Sequence, residues 1–352
     1  MKTINFVLPF PPKEPTGGPK VMYIYANMLV ERGYKVNIYH SLNTSYKRYS
    51  KPYFIRRILH YMRRTHQPNW FELDARIHSI NIKEVNDSYI KDGDVIISTW
   101  WATALEVSKL SKSKGKKINL IQDYENWKGY ENLLHTSYDL PNTLNVVIAT
   151  YLIEILKKYT QKPVYVIPNS IDTTIYKLEN NIEDRKPSIL MLYSKQERKG
   201  SLYAIEVVKK LYDKYGNTLK FSFFGTHHRP SGLPSWVNYV QKPDHLTQLY
   251  NEHSIFLTTS IMEGWGLPAC EAMACGCCVI ASEIDGHKDF IEHNESGIFF
   301  ESKNVNEAFE KIMNLIDNDE IRIRIAKKGN HTILNKFSLE SSVQKLIKLF
   351  FS

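Results

Sequence analysis

Apolar residues along the chain alternate between short runs of strand length and stretches of helical spacing. Residues 4–9 (INFVLP) form the first run. A proline-rich loop, Gly17 and Gly18 follow, and then a helically spaced segment over 21–31 that stops near Gly33. Residues 35–39 (KVNIY) read as the next strand. Strand, helix, strand in that order predicts a right-handed crossover and a parallel sheet. Residues 94–98 (DVIIS), 118–122 (INLIQ) and 145–149 (NVVIA) continue the series as buried strands, with helices over 102–113 and 151–159. The pattern restarts after Pro163: a short run at 165–167, a turn at 168–172 (PNSID) and a polar, charged stretch at 176–187 that reads as a linker. Strands follow at 188–193 (SILMLY), 220–224 (KFSFF), 255–259 (IFLTT) and 279–282 (VIAS), with helices over 201–215, near 246–252 and around Glu271. Helices over about 305–314, 321–337 and 339–350 close the chain.

This order predicts an α/β protein with two Rossmann-like, doubly wound domains, in which ligands bind at the carboxyl ends of the strands. The expected boundaries are 1–165 for the first domain, 166–335 for the second, and 336–352 for a C-terminal helix that crosses back to the first. A length of 352 residues suits two domains at roughly 100–200 residues each. No apolar run is long enough to span a membrane, and the start MKTINFVLPFPP lacks the features of a secretory signal, so the expectation is a cytoplasmic protein. Cys270, Cys275, Cys277 and Cys278 lie too close together, with no second ligand set, for a zinc knot; they read as small core residues in a reducing compartment.

The net charge of +9 favours an anionic partner, and the excess is local. No acidic residue lies between Glu31 and Glu72, and that gap holds Lys47, Arg48, Lys51, Arg56, Arg57, Arg63 and Arg64 among tyrosines, Phe54, Ile55, Ile58, Leu59 and Met62. The segment 47–64 reads either as an interfacial helix on an anionic membrane surface, which would place the protein peripherally on the inner face of a membrane, or as a solvated cover of the first sheet. No nucleic-acid-binding module accompanies the basic run.

The densest chemistry is the string Glu263-Gly-Trp-Gly-Leu-Pro-Ala-Cys-Glu271 between a strand and a helix. Pro268 suits the first helical turn, and Gly276 can end the helix. Gly264, Trp265, Gly266 and Leu267 then present backbone N–H groups at a helix N-terminus, a site for anions. Glu263 and Glu271 are strong acceptors for hydroxyl groups; in isolation they would read rather as a solvated loop carboxylate and a capping or salt-bridge residue, and the whole string changes that.

With its continuation through Glu283, Gly286, Asp289 and Gly297, and with Gly17–Gly18 and the PNSID turn, this string resembles glycosyltransferase family 4 and its Glu-x7-Glu motif, over nearly the whole chain. The resemblance implies the GT-B fold, two Rossmann-like domains facing a cleft, with the acceptor on the first and the nucleotide sugar on the second. It implies a retaining, metal-independent sugar transfer from a nucleotide-diphosphate sugar to a glycan, lipid-linked or protein-linked hydroxyl, in surface polysaccharide or glycan assembly. No cofactor is expected. Glu271 is implied to hold the nucleotide ribose, Glu263 the donor sugar, the amides of Gly264, Trp265, Gly266 and Leu267 the sugar and phosphates, and Lys199 the diphosphate; Gly17, Gly18 and Gly225 are implied to approach the donor closely.

Three departures stand out. Ser194 occupies the place of the family's usual Arg, leaving Arg198 or Lys195 as the second cation. Asp289 replaces a usual Glu. Trp100, Trp101 and Gln122-Asp-Tyr-Glu125 stand where many members carry a His, so Asp123 or Glu125 becomes the candidate to orient the acceptor hydroxyl, and QDYE resembles rhamnosyltransferase-like members. The Asp92/Asp94 and Asp317/Asp319 pairs read as turns rather than metal ligands. Another GT-B enzyme, such as a sugar-nucleotide epimerase or a phosphorylase, and a non-enzymic basic binding protein are the alternatives. Lys199→Ala and Glu271→Ala are expected to fold and to lose donor binding.

Overall fold

The apolar runs of the first half become the strands of one parallel sheet. Its elements are β1 (Thr3–Leu8), α1 (Gly17–Glu31), β2 (Lys35–Ser41), α2 (Tyr53–Met62), β3 (His78–Ile82), β4 (Val95–Ser98), α3 (Trp101–Val107), β5 (Lys116–Ile121), α4 (Glu131–Thr136), β6 (Thr143–Val147), α5 (Tyr151–Leu156) and β7 (Val164–Val166). The strand order is β3-β2-β1-β4-β5-β6-β7, every pair parallel. The order reverses between β1 and β4, which makes the carboxyl ends of those strands the topological switch point. This computed structural model describes residues 1–44, 46, 49–126 and 128–352; Lys47 and Arg48 of the basic segment lie outside the described residues.

The second sheet repeats the plan. Its elements are β8 (Ser188–Leu192), α6 (Ser201–Tyr215), β9 (Lys220–Gly225), β10 (Asn238–Gln241), α7 (Leu246–Asn251), β11 (Ile255–Thr258), α8 (Leu267–Ala274), β12 (Cys278–Ser282), α9 (Asp285–Lys288), β13 (Ile298–Phe300), α10 (Val305–Asp317) and α11 (Asp319–Lys336). The order is β10-β9-β8-β11-β12-β13, again all parallel, with its switch point between β8 and β11. Strands buried on both faces need continuous apolar sequence, which is why ILML and CVIA sit at the centre of this sheet, packed against Val207, Val208 and Leu211 of α6 and Ile312 of α10.

The chain divides into two units, Met1–Pro168 with Val343–Ser352, and Asn169–Ser342. The last helix, α12 (Leu339–Phe351), thus ends within the first unit. There Phe351 stacks on Tyr34 with ring centroids 5.6 Å apart, and the Lys116 ammonium donates to the Leu349 carbonyl at 2.8 Å. Among the described residues, no helix is long and apolar enough to cross a membrane.

Several local expectations change. Residues 176–187 are no linker. They lie inside the second unit, where Ile182 is buried and Arg185 is held by the carbonyls of Asn180, His253 and Cys275 and the Asn251 side chain. Helix α1 begins at Gly17, so Gly17 and Gly18 form its first turn rather than a loop before it. The helix expected over 102–113 ends at Val107, and a separate 3-10 turn covers Lys112–Lys114. Strands β3, β10 and β13 were not legible; β3 and β10 are short, half-polar edge strands. The four cysteines are free and fully buried, and burial pushes the thiols of Cys277 and Cys278 up to about 12, so they stay protonated packing residues.

Leu346 is buried in α12. Leu346→Ala should cost about 2–5 kcal/mol by opening a cavity. Urea denaturation with limited proteolysis should show the loss and place the new cleavages in Met1–Pro168 rather than Asn169–Ser342.

Candidate functional site

The site of the second unit forms where β8 and β11 diverge. After β8 the chain makes a 3-10 turn at Glu197–Lys199 and enters α6 through Gly200, whose φ of +63° is left-handed. After β11 the chain runs through Thr259, Ser260 and Glu263 into α8. Two hydrogen bonds clasp these two turns together. The Ile261 N–H donates to the Arg198 carbonyl at 2.7 Å, and the Thr259 hydroxyl to the Gly200 carbonyl at 2.9 Å. A Cβ on Gly200 would sit 1.9 Å from the Thr259 carbonyl oxygen, so the left-handed turn and the close approach both require glycine.

This clasp brings Lys199 to Glu263. The ammonium donates to both carboxylate oxygens, at 2.5 and 2.7 Å, and the Ser260 hydroxyl donates to Oε1 at 2.8 Å. Both side chains are largely buried, 18% exposed for Lys199 and 10% for Glu263. Burial pushes the Glu263 carboxyl up, but the charge and hydrogen bonds of Lys199 outweigh it and hold the group below the usual glutamate range. On the far side of the loop, a Cβ on Gly286 would fall 2.2 Å from the Glu263 carbonyl oxygen, so α9 also packs directly on this segment.

Helix α8 starts at Leu267 with Pro268 in its first turn and Gly266 as N-cap at φ +104°. No side-chain hydrogen bond caps this positive helix end, which lies at the carboxyl edge of the sheet. Lys199, Glu263, Gly266, Pro268, Leu192 and Thr258 line a small cavity there. Trp265 turns inward, its indole N–H on the Cys270 sulfur at 3.2 Å, so its backbone rather than its ring is at the site. Glu271 lies one turn inside α8, buried, and accepts the Tyr250 hydroxyl at 3.1 Å. Burial first, then the Glu271 charge, raise the Tyr250 hydroxyl well above its ordinary value, so it stays a donor.

Three neighbours escaped the sequence reading: Tyr250, Ser260 and His287. Ser260 could have been found three positions before Glu263 in the same loop; nothing in spacing points to Tyr250. His287 is buried in α9 against Gly266, where a Cβ would meet its ring at 2.7 Å. Its Nδ1 lies 3.0 Å from the Ser282 carbonyl, which can only accept, so Nδ1 carries the proton. Burial first lowers its pKa, keeping the ring neutral near Glu263 and Lys199.

The other sequence-derived candidates are dispersed. Ser194 ties the turn locally, its N–H on the Ser201 hydroxyl at 2.9 Å. The Arg198 side chain donates to Gln196 at 3.1 Å. Gly225 is needed by packing, since a Cβ there would lie 2.6 Å from the Tyr193 carbonyl oxygen. Gly17, Gly18 and Asp123 belong to the first unit. There Gln122 donates to the Gly18 carbonyl at 3.2 Å, and Asp123 accepts the Tyr124 N–H at 2.9 Å and the Tyr151 hydroxyl at 3.3 Å. The aspartate pairs sit at turns: Asp92 binds Ser113 and Lys114, Asp94 binds Lys2 and the Thr3 N–H, and Asp317 and Asp319 flank the α10–α11 break.

Residues 172–332 match the family described as Glycosyl transferases group 1, so the second unit carries a glycosyl transferases group 1 domain. A poly(ribitol-phosphate) alpha-N-acetylglucosaminyltransferase of Staphylococcus aureus is 29% identical over 156 residues, 41% of this chain and 31% of the relative. An N,N'-diacetylbacillosaminyl-diphospho-undecaprenol alpha-1,3-N-acetylgalactosaminyltransferase of Campylobacter jejuni is 27% identical over 173 residues, 47% of this chain and 45% of the relative. The chain therefore spans less than half the length of these curated relatives. Among solved structures, sucrose-phosphate synthase from Thermosynechococcus elongatus has a TM-score of 0.75 at 14% identity, over 99% of this chain and 98% of the other. Anabaena HepE in complex with UDP and glucose has a TM-score of 0.75 at 13% identity, over 99% of both chains. These likenesses show the GT-B fold of two parallel-sheet, Rossmann-like units.

The buried ion pair revises the expectation that Lys199→Ala folds undisturbed. Removing one partner of such a pair costs about 3–5 kcal/mol, and Lys199→Ala/Glu263→Gln should recover most of that loss in a denaturation experiment at neutral pH. The Glu263 pKa lies below its unfolded value, so the pair's contribution is complete above the usual glutamate range of about 4.3 and is lost as pH falls through the lower folded value. Glu263→Gln should flatten that acid-side slope. Gly200→Ala should cost roughly 2–5 kcal/mol from the left-handed backbone and the Thr259 contact.

Proposed function

We propose that this chain is a retaining glycosyltransferase of the family 4 type, moving a hexosyl or deoxyhexosyl group from a nucleoside-diphosphate donor to a hydroxyl acceptor in glycan or surface polysaccharide assembly. The observation that carries the proposal is the Lys199–Glu263 pair set beside the uncapped N-terminus of α8, at the carboxyl ends of β8 and β11. An ammonium and a helix N-terminus suit a diphosphate; two nearby carboxylates suit hydroxyl groups. The group 1 domain and relatives whose names describe sugar transfer support the same reading.

On donor binding, Lys199 shifts hydrogen bonds from Glu263 to the diphosphate, and Glu263 accepts hydroxyls of the donor sugar. Glu271 accepts the ribose hydroxyls, with the Tyr250 hydroxyl fixing its carboxylate. In the reaction the bond from the anomeric carbon to the diphosphate oxygen breaks as the bond to the acceptor oxygen forms on the same face. The acceptor proton passes to the departing phosphate. Charge gathers on that leaving group, where Lys199 and the α8 amides stabilise it. These groups supply the positive charge, so the reaction proceeds without a metal ion. UDP-sugars are the first donors to test, because HepE was solved with UDP and glucose; deoxyhexosyl donors come second, from the resemblance of QDYE to rhamnosyltransferase-like members.

A nucleoside diphosphate that occupies this site must raise the thermal midpoint by linkage. A screen of nucleoside diphosphates should give one clear shift. Glu271→Gln, which keeps an acceptor for Tyr250, should weaken that nucleotide roughly tenfold or more by losing a charged hydrogen-bond acceptor worth about 1.5–3 kcal/mol. No shift with any nucleotide would overturn the site assignment. With the matching sugar nucleotide, hydrolysis or transfer in the presence of EDTA, and a product with the donor's anomeric configuration by NMR, are expected. Interconversion of donor epimers without transfer would identify an epimerase instead.

A further inference from the structure

Helix α2 presents the wrong face to solvent for an ordinary surface helix, and none of its residues is buried. Its inward side carries Arg56 and His60 beside half-buried Tyr53 and Leu59. Arg56 donates to the Leu42 carbonyl and the Asn43 side-chain oxygen, and its guanidinium lies 3.7 Å from the Tyr49 ring centroid. His60 Nδ1 meets the Thr65 hydroxyl at 2.9 Å. The outward side is apolar: Phe54, Ile58, Tyr61 and Met62, at helical positions i, i+4, i+7 and i+8, are 63, 54, 81 and 74% exposed, and Ile55 lies beside them. Exposed Lys51, Arg57, Arg63 and Arg64 surround this stripe. Basic charge also comes from neighbouring segments. Lys83 stands 5.9 Å from the Tyr53 ring, and Lys13, with Arg56 and Arg63, adds to burial in lowering the His60 pKa. From Arg32 to Phe71 the sequence has no acidic residue.

We propose that α2 is an interfacial helix that seats this chain on an anionic lipid bilayer, with Phe54, Ile58, Tyr61 and Met62 inserted below the headgroups and Lys51, Arg57, Arg63 and Arg64 on the lipid phosphates. Charge complementarity selects this occupant. A second copy docking by the same patch would form an isologous contact, setting the basic ring of one copy against that of the other, and like charges oppose such a contact. An anionic bilayer supplies an apolar layer beneath a sheet of negative charge, which is the order of groups α2 offers in reverse. The proposal rests on the first unit alone and stands apart from the glycosyltransferase reading.

The test is co-sedimentation of the full chain with vesicles of phosphatidylcholine, alone or mixed with phosphatidylglycerol, at low and high salt. Binding to the phosphatidylglycerol vesicles alone is expected, weakened about tenfold or more by high salt, by Arg57→Gln/Arg63→Gln, or by Phe54→Ser/Ile58→Ser. These positions are exposed, so the thermal midpoint should be unchanged. A solvent-sensitive fluorophore on Tyr61→Cys should shift to the blue with phosphatidylglycerol vesicles and not with phosphatidylcholine. Equal binding to both vesicle types, binding unchanged by Phe54→Ser/Ile58→Ser, or an unshifted fluorophore would overturn the proposal. So would a lipid-free dimer in sedimentation equilibrium that Phe54→Ser/Ile58→Ser abolishes. Each readout is a binding measurement, so an inactive or misassigned enzyme leaves the result interpretable.

Discussion

A lysine from the turn after β8 and a glutamate from the loop after β11 meet as a largely buried ion pair, and the second unit's switch point is shaped around that meeting. Charges taken out of water must be compensated by close geometry and further hydrogen bonds. Lys199 reaches both oxygens of Glu263, and Ser260 supplies another donor. The two segments can come this close only because the backbone beside them carries no Cβ. Gly200 lies against the Thr259 carbonyl and Gly286 against that of Glu263. Ion pair and glycines are one constraint: the glycines permit the approach that makes the pair strong enough to offset its desolvation.

That constraint bears on chemistry. A lysine already neutralised by a carboxylate exerts little net field on an approaching anion. On the proposed reading, a diphosphate would compete with Glu263 for Lys199, and the uncapped end of α8 would add attraction that needs no rearrangement. A sugar hydroxyl arriving with the same ligand gives Glu263 a replacement partner. A ligand carrying both groups can thus open the pair without leaving either charge bare, whereas phosphate alone would strand the carboxylate. This favours ligands that join a diphosphate to a polyol over inorganic phosphate at the same place.

Much of this was legible in the sequence, for physical reasons that also mark where legibility stopped. Parallel strands buried on both faces leave unbroken apolar runs, so β1, β2, β4, β5, β6, β8, β9, β11 and β12 stood out to within a few residues. Edge strands β3 and β10 are only half buried, and their sequences HSINI and NYVQ lack that signal. The stretch 176–187 looked like a linker because it is charged, yet Arg185 is buried among carbonyls, a pairing that needs the third dimension. The string from Glu263 to Glu271 announced a helix start with Pro268 in its first turn. It did not announce that Lys199 would be spoken for by Glu263, or that Tyr250 and His287 would support the two ends of the motif. Gly17 and Gly18 show the same limit: nothing lies within 4 Å of a Cβ built on Gly17, while one on Gly18 would only touch Gln122, so packing within the first unit does not demand glycine there as it does at Gly200.

The direction of α2 is the sharpest case. Hydrophobic periodicity reports that a helix has two faces; it does not report which face turns inward. For most surface helices the apolar face goes in, because burying it is the main source of helix stability. Here the chain beyond the end of β2 leaves the Leu42 carbonyl and the Asn43 side chain needing donors, and Arg56 on α2 supplies them. Unpaired backbone acceptors near a sheet end are costly enough to claim the polar face of a neighbouring helix. Once Arg56 and His60 are committed inward, helical geometry sends Phe54, Ile58, Tyr61 and Met62 outward, since they lie on the opposite side of the same turns. The outward apolar stripe accompanies the inward hydrogen bonds of Arg56 and the half-buried Tyr53 and Leu59, and no count of hydrophobic residues in 47–64 contains that arrangement.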